Sequence, residues 1–117
     1  MILGLGTDLA EVARFRSPSR ALLERVFTPA ERAYARRYKD PSERLAARFA
    51  AKEAVMKALG TGWAKGISWK DIETVGPKLR VRGKASKIAK SLGIARWHLS
   101  ISHAGGFALA VVVAEAG

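Results

Sequence analysis

The chain has 117 residues, 49% of them hydrophobic, with 21 lysines and arginines against 10 acidic residues and a net charge of +11. That length suits one domain over residues 1–117 with a modest core; the absence of cysteine excludes a disulfide framework and a thiolate metal site, and no apolar run approaches the roughly 18 residues that a membrane span needs. The brief apolar start runs straight into Asp8 without a basic leader, so a cytoplasmic protein without a signal peptide is expected, and its charge favours acidic surfaces, phosphorylated molecules or nucleic acid as partners.

Residues 2–9 read as a strand. Ile2, Leu5 and Leu9 are apolar, and Gly4 and Gly6 allow another backbone to come close. Asp8, a poor strand former, ends it or caps a helix over 9–15. Residues 10–38 read as helical and basic, broken at Ser17-Pro18-Ser19. Thr28-Pro29-Ala30-Glu31 is a capping box with proline at the first helical position, opening a helix from Glu31 to Tyr38. Arg14, Arg16, Arg20, Arg25, Arg32, Arg36 and Arg37 lack matching acids. Any one of them is at home on a solvated face; together they suit the docking of an acidic partner.

The longest helix starts at Asp40-Pro41-Ser42-Glu43, with Asp40 as N-cap, Pro41 at the first position and Glu43 closing a capping box. Gly60 fits the left-handed residue after its last turn. At about 100° per residue, Leu45, Phe49, Met56 and Leu59 share one stripe. Lys52 falls inside that stripe, an unusual place for a cation unless its stem lies on the apolar face and its ammonium reaches water. Glu53 and Lys57 are neighbours on the next face, a spacing that alone reads as a surface pair contributing about 0.2–0.5 kcal/mol. Ala46, Ala50, Ala54 and Ala58 leave room beside them for a backbone or a ligand.

Residues 61–66 form a glycine-bearing loop without the spacing of a phosphate-binding P-loop. A strand over 68–75, a turn at Gly76-Pro77, a strand through Leu79 and Val81 and a basic helix from Gly83 to Leu92 follow, the last stopped by Gly93. Arg96–His103 alternates, with Trp97, Leu99 and Ile101 on one side. Ala104-Gly105-Gly106 turns the chain into Phe107–Ala114, which is almost wholly apolar. A strand apolar on both faces is covered on both. The long helix supplies one cover, and a second subunit is the candidate for the other. The expected fold is α+β, a long helix packed on a small, mainly antiparallel sheet.

Two carboxylates without histidine or cysteine beside them suit a hard cation such as Mg²⁺, which completes its shell with water and phosphate oxygens. Asp8 and Glu53 are the candidates, and the surrounding cations favour a phosphorylated substrate.

Gly6-Thr7-Asp8-Leu9, then Arg48-Phe49-Ala50-Ala51-Lys52-Glu53-Ala54 with Lys57-Ala58-Leu59-Gly60-Thr61-Gly62, the segment from Ile67 to Val75, and Ser100-Ile101-Ser102-His103 follow one another over nearly the whole chain. In this order they resemble the holo-[acyl-carrier-protein] synthases, the small single-domain class of 4′-phosphopantetheinyl transferases. The resemblance implies transfer of the phosphopantetheine arm of coenzyme A to a serine of apo acyl carrier protein, releasing adenosine 3′,5′-bisphosphate. It implies Mg²⁺ held by Asp8 and Glu53, with Lys57 completing the catalytic set by neutralising the pyrophosphate. Arg48, Lys52, Lys57 and His103 match coenzyme-binding positions. Arg14 matches the region that docks the acidic carrier, with Arg20 and Arg25 as companions. The family forms homotrimers with sites between subunits, in accord with the doubly apolar last strand. Two departures stand out: the turn Val75-Gly76-Pro77-Lys78 is shorter than the family's usual hairpin, and Ala104-Gly105-Gly106 replaces residues that are more often polar.

The competing reading is a basic nucleic-acid-binding module, motivated by the charge and by Trp63, Trp69 and Trp97. It requires basic and aromatic residues interleaved on an exposed face, and it leaves Asp8 and Glu53 without a role.

Overall fold

In the computed structural model, which describes residues 1–63 and 66–117, the chain opens with strand β1, Ile2–Glu11. The strand outruns the residues 2–9 read from sequence, and the helix expected over 9–15 shrinks to a 3₁₀ turn at Val12–Phe15. The cause is tertiary. Leu9, Ala10 and Glu11 pair with Leu109, Ala108 and Phe107, and a ladder of backbone hydrogen bonds outweighs the local preference of Asp8 for a cap. Asp8 therefore lies within the strand, not at its end.

Helix α1, Arg20–Val26, is capped by the Ser19 side chain, at the break expected from Ser17-Pro18-Ser19. Helix α2, Pro29–Arg36, carries the full Thr28–Glu31 capping box. Helix α3, Ser42–Leu59, ends as expected on Gly60 at φ 76°. Its start differs from expectation by one position. Pro41 is the N-cap, and the Asp40 carboxylate accepts from the Ser42 amide at 3.1 Å and its hydroxyl at 2.5 Å. Those two bonds, the hydroxyl's first, hold the Asp40 carboxyl below its usual range. Glu43 closes no capping box; it pairs with Arg44 at 3.2 Å.

Ser68–Asp71 is also not strand. Ser68 and Asp71 cap a 3₁₀ turn at Trp69–Asp71, and β2 (Ile72–Val75) pairs with β3 (Lys78–Val81) as a separate two-stranded hairpin. Helix α4, Gly83–Ser91, leads through Gly93 at φ 85° to β4, Ile94–Ala104, and β5, Phe107–Ala116. Gly105 and Gly106 both take positive φ in the two-residue turn between them, as a tight hairpin demands. Of the loop read over 61–66, Ala64 and Lys65 lie outside the described residues.

The main sheet has the order β1–β5–β4, both pairs antiparallel. Its inner face packs on α3. Ala108, Ala110, Val112 and Ala114 of β5 and Ala46, Ala50 and Ala54 of α3 are buried, so small residues meet across the layer. The contact is closest at β1, where a Cβ added to Gly6 would stand 1.8 Å from the Ala54 carbonyl oxygen and one added to Gly4 2.2 Å from that of Ala58. Only glycine permits this approach.

The outer face of the same sheet is uncovered in the single chain. Leu5 and Leu9 of β1 are 62% and 59% exposed, and Phe107 and Leu109 beside them on β5 are also open. Half of the double cover expected for the last strand is thus supplied by α3 within one chain. Among the described residues, no helix is long and apolar enough to cross a membrane.

Candidate functional site

The packing of β1 on α3 builds the site. Gly6 lies against Ala54, so Asp8, two residues on and on the same face of the strand, points back at the helix. Lys57 reaches it. Its ammonium donates to the Thr7 carbonyl at 2.8 Å and to Asp8 Oδ1 at 3.1 Å. Glu53 stands one turn before Lys57 on the same helix face and is partly exposed. Asp8 and Lys57 are thus in direct contact across the strand–helix packing, with Glu53 one turn along the same helix face.

Glu53 has a partner that its motif did not announce. Trp63 Nε1 donates to Glu53 Oε1 at 3.0 Å. The only signal in the sequence was a lone tryptophan on a glycine-bearing loop, ten positions beyond the carboxylate. Among the described residues no three carboxylate or histidine side chains cluster as a complete metal site. Two carboxylates with a neighbouring cation fit Mg²⁺, which binds through one or two acids plus water and substrate phosphate.

Lys52 is elsewhere. Its side chain is fully buried and pairs with Glu31 at 2.8 Å. The same ammonium donates to the Trp69 carbonyl at 3.0 Å and to the Ile72 carbonyl. Glu31 is equally committed, accepting from the Thr28 amide at 2.9 Å and the Thr74 amide at 2.9 Å. Burial pulls the Lys52 pKa down, against the opposing pull of Glu31. Neither the snorkelling stem nor a free ammonium lining a ligand site describes this residue; it clamps α2, α3 and β2 together.

Arg48 and His103 meet in a separate hollow of about 310 Å³, lined also by Tyr34, Arg44 and Gly76-Pro77 and by none of Asp8, Glu53 and Lys57. The Arg48 guanidinium lies 4.6 Å over the Tyr34 ring and donates to the Thr74 and Gly76 carbonyls at 3.3 Å each. Burial lowers its pKa. His103 Nε2 is 3.4 Å from the Glu43 carbonyl. The hollow thus gathers two arginines, an aromatic ring and an imidazole. Strand order explains the separation from Asp8, because His103 is on β4 and Asp8 on β1, the two edges of the sheet.

Of the arginines expected to dock an acidic partner, Arg14 lies over Phe15 and Phe49, 5.7 and 5.2 Å from the ring centroids. Arg20 is partly neutralised by Glu24 at 2.9 Å, and Arg25 is exposed in the last turn of α1. Trp63, Trp69 and Trp97 all pack against the core. This removes the exposed stacking platform that the nucleic-acid reading needs.

Comparison with known proteins gives consistent matches. Residues 4–112 match the family model described as the 4′-phosphopantetheinyl transferase superfamily. A holo-[acyl-carrier-protein] synthase of Trichlorobacter lovleyi is 47% identical, with 99% of each chain covered. The crystal structure of the Neisseria meningitidis holo-[acyl-carrier-protein] synthase superposes with a TM-score of 0.82 at 37% identity, covering 98% of this chain and 99% of that one. The Bacillus anthracis synthase, solved in complex with CoA (3′,5′-ADP), gives 0.80 at 38% identity over 100% of this chain and 99% of that one.

Proposed function

The chain belongs to the 4′-phosphopantetheinyl transferase superfamily, and we propose that it moves the 4′-phosphopantetheine arm of coenzyme A onto a serine of apo acyl carrier protein. The names of its relatives and the coenzyme bound in one of them support the substrates. The observation that carries the site is the reach of Lys57 to Asp8, which sets a strand carboxylate beside the helix turn that bears Glu53.

In this reading Asp8 and Glu53 hold Mg²⁺, which when bound neutralises charge on the coenzyme A pyrophosphate. Lys57 shifts its ammonium from Asp8 to a phosphate oxygen. Arg48 and His103 hold the nucleotide end of the coenzyme, with Arg44 and Tyr34 beside them. The carrier serine oxygen bonds to the β-phosphorus, the bond to the oxygen of the adenosine-side phosphate breaks with that oxygen keeping the electron pair, and the serine proton passes to solvent water. Adenosine 3′,5′-bisphosphate departs.

The Arg48–His103 hollow shares no lining residue with Asp8, Glu53 or Lys57, and in this reading a second subunit completes the coenzyme site. We therefore assign the exposed outer sheet face, with Leu5, Leu9, Phe107 and Leu109, to a homotrimer contact that brings one chain's carboxylates to another's hollow. Arg14, with Arg20 and Arg25, receives the acidic carrier. A cytoplasmic setting is part of the same proposal.

The test is mass spectrometry of apo acyl carrier protein incubated with the chain, coenzyme A and Mg²⁺. One phosphopantetheine arm is expected to be added per carrier. Asp8→Asn and Glu53→Gln are expected to abolish the gain while retaining cooperative thermal melting; full Mg²⁺-dependent transfer by either variant overturns the metal assignment.

A further inference from the structure

Nothing in the motif pattern accounts for the indole that holds Glu53. We propose that Trp63 is a positioning residue for the Glu53 carboxylate, kept in place by an aromatic stack that the buried Glu31–Lys52 pair anchors. The inference rests on the reading of Glu53 as a metal ligand.

An indole N–H donates and cannot accept. The bond from Trp63 Nε1 to Glu53 Oε1 therefore uses one carboxylate oxygen as acceptor and leaves Oε2 available to a cation. The indole itself is braced. Its ring centroid lies 3.7 Å from that of Trp69 at an interplanar angle of 32°. Trp69 stacks on Phe49 at 5.2 Å and 22°, and Phe49 rests on Phe15 at 5.3 Å. Phe15 is buried in the core.

Trp69 is also fixed through its backbone. Its carbonyl accepts from Lys52 at 3.0 Å, and Lys52 is paired with Glu31 inside the protein. Lys52 and Glu53 are adjacent on α3 and point to different sides of the helix. The inward residue ties down the turn at Trp69–Asp71, the Trp69 ring supports Trp63, and Trp63 returns to the outward residue. A carboxylate so held loses less rotamer freedom on binding a cation than one swinging on a helix surface. Hydrogen bonds to metal-binding side chains govern affinity by about 10–100-fold in general.

Trp63→Phe keeps an aromatic ring against Trp69 and deletes the donor. The dissociation constant for Mn²⁺ is measured by electron paramagnetic resonance on the full chain with coenzyme A and no carrier. Weakening of about tenfold is expected in Trp63→Phe, with unchanged thermal melting. The half-saturating Mg²⁺ for transfer is expected to rise by the same factor, while the rate at saturating Mg²⁺ and the KM for the carrier hold. In the unsubstituted protein, Mg²⁺ is expected to shift the Trp63 indole resonance in ¹H–¹⁵N spectra, a readout independent of whether the variant folds. Unaltered Mn²⁺ affinity in Trp63→Phe, or an indole resonance indifferent to Mg²⁺, overturns the assignment. Glu53→Gln separates the two ideas. If it loses Mn²⁺ while Trp63→Phe retains it, only the role of Trp63 falls; if it too binds Mn²⁺ normally, the metal reading falls with it.

Discussion

Lys52 and Glu53 are neighbours in sequence with opposite surroundings. Lys52 is buried against Glu31, and a charge left alone in such a place is costly. Lys52→Met leaves Glu31 unpaired and is expected to destabilise the fold by about 3–5 kcal/mol in chemical denaturation. The double variant Glu31→Gln/Lys52→Met is expected to recover most of that loss, because the orphaned charge is then gone; a double variant no more stable than Lys52→Met would contradict the pairing. The position of Lys52 on an apolar stripe was legible in the sequence, and so was the oddity of a cation there. Its partner was not, because Glu31 lies 21 positions earlier and already serves as the second half of the Thr28 capping box. Local rules explained Glu31 completely and so hid its second contact. Asp8 and Glu53 were legible through their motifs. Trp63 was not, because an indole in a loop carries no periodicity to show where its N–H points.

At the scale of the elements, local chemistry wrote most boundaries into the chain. The Thr28–Glu31 box and the Gly60 stop are as read, the break at Ser17-Pro18-Ser19 supplies the Ser19 cap, and the helix read over Glu31–Tyr38 runs instead over Pro29–Arg36. The reading failed where pairing decides, at β1, whose last residues join β5 although Asp8 favours a cap. Within the same strand Gly4 and Gly6 lie against the carbonyls of α3. Gly6→Ala has no room for its methyl, and nothing flexible stands in the way to move aside. We expect it to cost about 3 kcal/mol or more by thermal or denaturant melting. It should lower transfer even where folded protein remains, since Asp8 moves with the strand. Wild-type stability in Gly6→Ala would show that strand and helix are farther apart than described.

For the whole molecule, charge and an open sheet face remain. With +11 net and Arg14 beside Phe49, the proposed encounter with an acidic carrier is expected to be steered by a field that salt screens. Arg14→Glu is expected to raise the KM for the carrier several-fold, and less so at high salt, with the KM for coenzyme A unchanged. Equal effects on both substrates would remove Arg14 from the docking surface. The open face makes its own prediction. Leu5→Glu, at a residue 62% exposed in the single chain, is expected to convert a trimer to monomers in sedimentation while the monomer keeps its helical circular dichroism; a monomeric unsubstituted chain would refute the assembly. The apolar last strand signalled this face, but neither composition nor spacing counts subunits.

The bridge from Lys57 to Asp8 carries one more consequence. The acid already has a counterion supplied by its own polypeptide, so the mature shape does not wait for divalent loading. A chelator is then expected to silence the protein while leaving its melting curve in place, and restoring Mg²⁺ should revive it at once, with no refolding lag.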